Sequence, residues 1–159
     1  FEEINIHEIT EHVKSLIEAE VGEKLVVTCD YDPSIPDMSG DRTQLVQAVL
    51  NVARNAMQAI LEAGLEQRKL TFKSRIQRSF TIAGEYHKAL CRLDIIDNGP
   101  GISSDIKERI FFPMISGRIE GTGLGLTIAQ SAINVHQGII ECESEPGHTC
   151  FSIYLPIKA

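Results

Sequence analysis

Residues 69–97, KLTFKSRIQRSFTIAGEYHKALCRLDIID, decide the fold class. Lys69 to Phe80 and Tyr86 to Asp97 are strand-like segments joined near Ala83-Gly84-Glu85, and they read as a β-hairpin. A second hairpin closes the chain. There, Ile139 to Ser144 and Thr149 to Leu155 alternate apolar and polar residues across Glu145-Pro146-Gly147-His148. A doubly wound parallel sheet needs a helix between nearly every pair of strands, and two hairpins do not fit it. The pattern instead predicts an α+β fold. Its form is a two-layer α/β sandwich, with one mixed, mostly antiparallel sheet covered on one face by three helices.

Working outward, Asn5 caps a first helix, with Glu8 placed to complete a capping box, and Ile9, Val13, Leu16 and Ile17 recur at helical spacing until Gly22. Leu25 to Cys29 reads as a short strand and Asp30 to Gly40 as a loop. Asp41 opens the strongest helix, with Gln44 as its reciprocal partner. Leu45, Val49, Val52, Ala56 and Ile60 form its buried stripe, and Gly64 stops it. Ser104 caps a short helix to Phe111. Phe112 to Gly121 has no period and reads as a mobile loop. Gly123 to His136 is helical, with Leu126, Ala129 and Ile133 on one face, and Gly138 ends it.

The bulk properties suit one domain over 1–159: 159 residues are enough for a core, and 43% of them are hydrophobic. No apolar run nears the roughly 20 residues a membrane helix needs. No leader pattern is present at Phe1-Glu2-Glu3, and a chain opening on Phe1 is expected to be a piece of a longer protein. A net charge of −7 argues against nucleic acid as a direct partner, but not against a nucleotide held by backbone N–H groups and a cation. Cys29, Cys91, Cys142 and Cys150 form no C-x-x-C pair. They read as reduced core cysteines of a cytoplasmic protein, though Cys142 and Cys150 could face each other across the second hairpin.

Three motifs carry chemistry. Asn51 and Asn55 lie one helical turn apart at the edge of the buried stripe, and carboxamide oxygens are hard ligands suited to Mg2+. Asp97-Asn98-Gly99-Pro100-Gly101 puts a carboxylate at the end of an apolar strand, just before a tight turn. Such a carboxylate accepts a hydrogen bond from the exocyclic amine of adenine, whereas guanine presents a carbonyl there. Gly121-Thr122-Gly123-Leu124-Gly125 opens a helix with backbone N–H groups available to phosphates. It matches neither G-x-G-x-x-G, since Leu126 takes the last position, nor the Lys-Ser/Thr of a P-loop. Each motif alone is ordinary. In this order they offer a metal ligand, a base reader and a phosphate cradle, as a nucleoside triphosphate site requires.

On these residues the chain resembles the catalytic ATP-binding domain of sensor histidine kinases, within the superfamily that includes gyrase, Hsp90 and MutL. Residues 47–56 match the N box, Asp97 to Ile102 the G1 box, Phe111-Phe112-Pro113 the F box and Gly121 to Leu126 the G2 box. Residues 147–156 match the last hairpin. Among histidine kinases the resemblance is to the nitrogen-regulation kinases of the NtrB type. It rests on Asp30 to Ser34, Arg54 to Ala59, Phe112 to Arg118, Pro146 to Thr149 and the long hairpin around Phe80 to Tyr86.

The resemblance implies a Bergerat-type ATP-binding fold and the cofactors ATP and Mg2+. Asn55 would bind the metal, and Asn51 would lie by the phosphates or help hold it. Asp97 would read adenine, with Thr149 nearby through water; Gly99, Gly101 and Ile102 would shape the base pocket. Gly121, Thr122, Gly123, Leu124 and Gly125 would form the phosphate end of a lid, with Arg118 as the cation for the γ-phosphate. His7-Glu8 lacks the downstream Pro of a phosphoacceptor motif. The phosphoacceptor/dimerisation and sensor domains are therefore expected upstream. The implied partners are that upstream domain, an NtrC-like response regulator and the PII signal protein. The rivals are an ATP-hydrolysing module of the gyrase, Hsp90 or MutL type and a non-catalytic interaction module. The hydrolases place a general-base Glu where this chain has Asn51.

Overall fold

The computed structural model describes residues 1–102 and 124–157. The elements are β1 (Glu2–Ile4), α1 (Ile6–Val21), a 3-10 turn (Gly22–Lys24), β2 (Val26–Asp30), β3 (Met38–Gly40), α2 (Arg42–Glu62), β4 (Lys69–Ile82), β5 (Glu85–Asp97), α3 (Leu124–Val135), β6 (Ile139–Glu145) and β7 (His148–Pro156). The helix expected from Ser104 to Phe111 and the loop from Phe112 to Gly121 lie outside the described residues.

The main sheet has the order β2-β4-β5-β7-β6. Only β2 and β4 run parallel, joined by a crossover through α2; the other neighbours are antiparallel. Both expected hairpins are present, each closed by two residues. Ala83 and Gly84 have φ of +48° and +78° in the first, as the right-handed twist of a two-residue hairpin favours, and Pro146-Gly147 closes the second.

Directly opposed residues share a face, so the register defines rows across the sheet. Phe72, Ile95 and Phe151 form one row; Ser74, Leu93 and Ile153 form the next. These rows lie under Ile9, Val13 and Ile17 of α1, Leu45, Val49, Val52, Ala56 and Ile60 of α2, and Ala129 and Ile133 of α3, all in one buried cluster. None of the described helices covers the opposite face, which is mixed: Leu90, Tyr154 and Ile139 form a small apolar cluster at one end, and polar side chains fill the rest. There Thr28 and Thr71 exchange a hydroxyl bond at 2.9 Å. The 6%-exposed Asp94 accepts from Ser152 Oγ at 2.7 Å and from Arg92 Nε at 2.9 Å. This is the expected two-layer sandwich.

Local details depart from expectation. The stretch expected as a loop from Asp30 to Gly40 ends in β3, which pairs antiparallel with β1 as a small second sheet. Three residues each are too few to show alternation. The capping box at Asp41 forms by one half only, and at Asn5 the side chain caps the second amide of the helix rather than that of Glu8. Asn5 Oδ1 accepts from the His7 N–H at 2.9 Å, but the Glu8 carboxylate turns to Arg42 at 2.8 Å instead. Asp41 Oδ1 accepts from the Gln44 N–H at 3.1 Å, while Gln44 Oε1 is buried with no partner among the described residues. Cys142 and Cys150 do not face each other. Cys142 opposes Phe151 and Glu143 opposes Cys150, so the two thiols point to opposite faces.

Two contacts at the end of α3 fix the helix layer. The Asp41 N–H donates to His136 Nε2 at 2.9 Å, so the ring proton sits on Nδ1 and is donated to Ala132 O at 2.7 Å. This clamps the start of α2 to the end of α3. Gly138 closes α3 through its N–H to Ile133 O at 2.9 Å, but the left-handed position is held by Gln137, at φ +61°. Gly138 is required for space, because a Cβ there would stand 2.1 Å from Tyr154 O. Gly138→Ala must push α3 off β7, and it is expected to lower stability by about 2–3 kcal/mol in urea denaturation. An unchanged midpoint would show that the helix end moves freely.

Candidate functional site

Asn51 and Asn55 sit half-buried on α2, beside the stripe that packs on the sheet. One turn beyond Asn55, Ala59 faces the turn after β5: a Cβ on Gly99 would lie 3.8 Å from Ala59 Cβ. The helix carrying the two carboxamides therefore meets the Asp97 turn side on.

Asp97 ends β5 at 3% exposure. Its Oδ1 accepts from the Gly99 N–H at 2.9 Å, a closed turn that aims the carboxylate. A Cβ at Gly99 would stand 2.8 Å from that same oxygen, so the turn tolerates no side chain. Asn98 points elsewhere, donating Nδ2 to Gln67 O at 2.8 Å and accepting from the Lys69 N–H at 2.9 Å. It staples the turn to the start of β4.

The β6–β7 turn supports the other side. The Gly147 N–H donates to Gly99 O at 3.0 Å. Gly101, at φ +91°, passes so close that a Cβ would lie 2.8 Å from Glu145 O. The Ile102 N–H donates to Ser144 Oγ at 2.8 Å, and Ser144 Oγ lies 2.7 Å from Thr149 Oγ1. Thr149 is 3% exposed and directly opposite Asp97 in the β5–β7 register.

The structure thus gathers Asp97, Gly99, Gly101, Ile102 and Thr149 into one wall, with the α2 face that bears Asn55 alongside and Asn51 one turn further back. Leu124 opens α3. Arg118, Gly121, Thr122 and Gly123 lie outside the described residues, as do the side-chain surroundings of Leu124 and Gly125. Sequence reading missed Ser144 and Ala59. Ser144 was recoverable: a two-residue Pro146-Gly147 turn forces Glu145 opposite His148 and hence Ser144 opposite Thr149.

Residues 40–159 match the family described as histidine kinase-, DNA gyrase B-, and HSP90-like ATPase. The chain belongs to that family. It is 44% identical over 154 residues to the sensory histidine kinase/phosphatase NtrB of Klebsiella oxytoca, covering 97% of this chain and 43% of that protein. It is 45% identical over 153 residues to NtrB of Vibrio alginolyticus, covering 96% and 43%. The chain therefore spans less than half the length of these relatives. The catalytic domain of the histidine kinase ThkA, in a nucleotide-free form, superposes with a TM-score of 0.80 at 26% identity, over 98% of this chain and 95% of that one. None of the described helices is long and apolar enough to cross a membrane.

The wall depends on backbone contacts that a side chain would break. Gly101→Ala places a Cβ against Glu145 O in a left-handed conformation. It is expected to cost about 1–3 kcal/mol and to speed amide exchange at Gly147 and Ile102. Unchanged exchange at both amides would show that the two turns are not coupled.

Proposed function

We propose that this chain is the ATP-binding catalytic domain of a two-component sensor histidine kinase of the NtrB type, acting in the cytoplasm on a histidine carried by a separate phosphoacceptor/dimerisation domain. The observation that carries the proposal is the juxtaposition of buried Asp97 and Thr149 with the α2 face bearing Asn51 and Asn55. The similarity to NtrB over 97% of the chain supports it.

Each residue has a role in this reading. Asp97, an acceptor-only group, takes a hydrogen bond from the adenine amine. Gly99 and Gly101 let the backbone close around the base, and Ile102 packs beside it. The carboxamide oxygen of Asn55 is a neutral hard donor that fits Mg2+, an ion that keeps several waters and draws other ligands from phosphate oxygens. Asn51 lies by the phosphates. Gly121, Thr122, Gly123, Leu124 and Gly125 contribute backbone N–H groups to the phosphates, and Arg118 a positive charge to the γ-phosphate. When bound, Mg2+ neutralises phosphate charge.

The reaction is then mainly a matter of positioning. The domain holds ATP so that the γ-phosphoryl group lies in line with the imidazole of the partner domain. From the phosphohistidine the group passes to an NtrC-like response regulator of nitrogen-responsive genes. The NtrB relatives are named kinase/phosphatase, and the PII signal protein is the proposed switch between the two activities.

The base contact is tested by calorimetry with Mg-ATP. Wild type is expected to bind, and Asp97→Asn, which puts a donor where the amine needs an acceptor, is expected to lose at least about tenfold in affinity with its thermal midpoint preserved. Equal binding by both proteins would remove Asp97 from the base site.

The hydrolase alternative differs at Asn51. A carboxamide has no useful basicity, so the isolated chain is expected to release negligible phosphate from ATP. Asn51→Glu is expected to raise that release, since general-base assistance contributes roughly 10²–10⁴-fold. Rapid steady hydrolysis by wild type at saturating Mg-ATP would overturn the kinase reading in favour of the hydrolase.

A further inference from the structure

We propose that the face of the main sheet left uncovered by the described helices is a contact surface for a second copy of this chain, closed by a two-fold axis that sets the cations of β4 against the carboxylates of β6. The inference stands apart from the nucleotide-site reading. Asp97 and Thr149 share a row with Leu70, on the opposite, helix-covered face.

The register fixes which side chains this face presents. One row runs Asp30, Lys73, Asp94, Ser152 and Glu141 across β2, β4, β5, β7 and β6. Another runs Thr28, Thr71, Ile96, Cys150 and Glu143. One step further along the strands are Lys69 on β4 and, opposite His148, Glu145 on β6. The strand β4 therefore shows Lys69 and Lys73, while β6 shows Glu141, Glu143 and Glu145 on alternate residues. Lys73 is partly exposed and the other four are exposed.

The ground between the two stripes is neutral. Asp94 is 6% exposed, its charge met by Arg92 Nε at 2.9 Å, with Ser152 Oγ donating to it at 2.7 Å. Asp30 on the outer strand is met by Arg75 at 2.9 Å. Ile96 and Cys150 fill the middle of their row. Among the described residues, Lys69, Lys73, Glu141, Glu143 and Glu145 have no ion-pair partner. The stripes cannot neutralise each other within one chain. Three strand spacings, about 14 Å, separate β4 from β6. Salt screens exposed charges beyond about 8 Å.

A second copy removes that separation. Take a two-fold axis parallel to the strands, lying in the interface between β5 and β7. It reverses the strand order but keeps each residue's height along the strands. The β4 of one copy then lies over β6 of the other, and β5 over β7. Lys73 faces Glu141 of the second copy because the two share a row, and Lys69 faces Glu145 of the second copy for the same reason. By symmetry each contact occurs twice. Long side chains bridge the roughly 10 Å between packed sheets, and the neutral centre brings no net charge into the contact. At the other end of the face Phe80 stacks on Tyr154 at 4.8 Å, which confines the contact to the rows from Lys69 to Lys73. Three rows across four strands make a patch about 15 Å on a side, small for a stable interface, so the association is weak and electrostatic.

Sedimentation equilibrium of this chain at low salt, over a range of protein concentrations, tests the proposal. Wild type is expected to show a monomer–dimer equilibrium that weakens as salt is raised and does not respond to Mg-ATP. Lys73→Glu and Glu141→Lys each turn two attractive contacts per dimer into repulsive ones, and each is expected to weaken self-association at least about tenfold. An equimolar mixture of the two variants restores Lys against Glu at both contacts and is expected to form a heterodimer of wild-type strength. Where a reversal lowers the thermal midpoint, Lys73→Gln and Glu141→Gln replace it, each expected to weaken the dimer without rescue on mixing. A wild type that stays monomeric at every concentration overturns the proposal. So does a dimer that salt, the reversals or the neutral variants leave unmoved, or a mixture of the reversals no stronger than either alone.

Discussion

A buried carboxylate at the end of the central strand organises this molecule. Asp97 is 3% exposed, and an ionised group taken out of water must be met by donors at fixed positions. The Gly99 N–H is one such donor, 2.9 Å from Oδ1, and it reaches that place only because residue 99 has no side chain. The same tight turn then needs support from outside. Asn98 supplies it toward β4, Gly147 toward β7 and Ser144 toward β6. The strand-end carboxylate thus accounts for the glycine at 99, and the close approach of the second hairpin for the glycine at 101.

The second requirement is that α2 hold its place against that strand end, and two contacts at opposite ends of the helix do this. Near its C-terminal half, Ala59 abuts Gly99. At its start, the Asp41 N–H is held by His136 at the end of α3, which is in turn seated by the close fit of Gly138 against Tyr154 O. Between these points the stripe from Leu45 to Ile60 packs on the sheet rows. The carboxamides of Asn51 and Asn55 ride on a rod fixed at both ends, so their distance from Asp97 is set by backbone geometry rather than by side-chain choice. Sites on helices and strands held this way are more exact than sites on free loops.

The large elements were legible from sequence because each repeats a period several times. The stripe of α2 and the long β4–β5 hairpin needed no tertiary information. The candidate wall residues stood out only through the conjunction and order of three motifs, since Asp97-Asn98-Gly99-Pro100-Gly101 alone is an ordinary turn. What escaped was of two kinds. The strands β1 and β3 are three residues each, and they are strands only because they meet each other. The other misses were pair relations. His136 looked like the last residue of a helix, and nothing local says that its ring reaches Asp41 across the fold. Gly138 was expected as a helix-ending glycine, yet Gln137 takes the strained conformation and Gly138 answers to β7. Asn5 and Asp41 both cap their helices, Asn5 through His7 rather than Glu8, and the return bonds lost to competitors: Glu8 found Arg42, and His136 took the Asp41 N–H.

On the proposed function, this division of labour has a chemical logic. A domain that must deliver a phosphoryl group to another protein domain has to hold ATP tightly without spending it on water. Binding is best drawn from the end of the nucleotide that does not react, where a rigid wall discriminates bases without touching the γ-phosphate. The wall from Asp97 to Thr149 meets that need, being built from strand register and turn glycines. At the reacting end the same economy calls for a group that contacts phosphate or its metal but takes no proton. Asn51 and Asn55 are such groups, since a carboxamide donates and accepts hydrogen bonds but has no basicity to activate water near neutral pH. Affinity and restraint thus come from different elements, β5 with its turn and α2, which run side by side where a Cβ on Gly99 would meet Ala59.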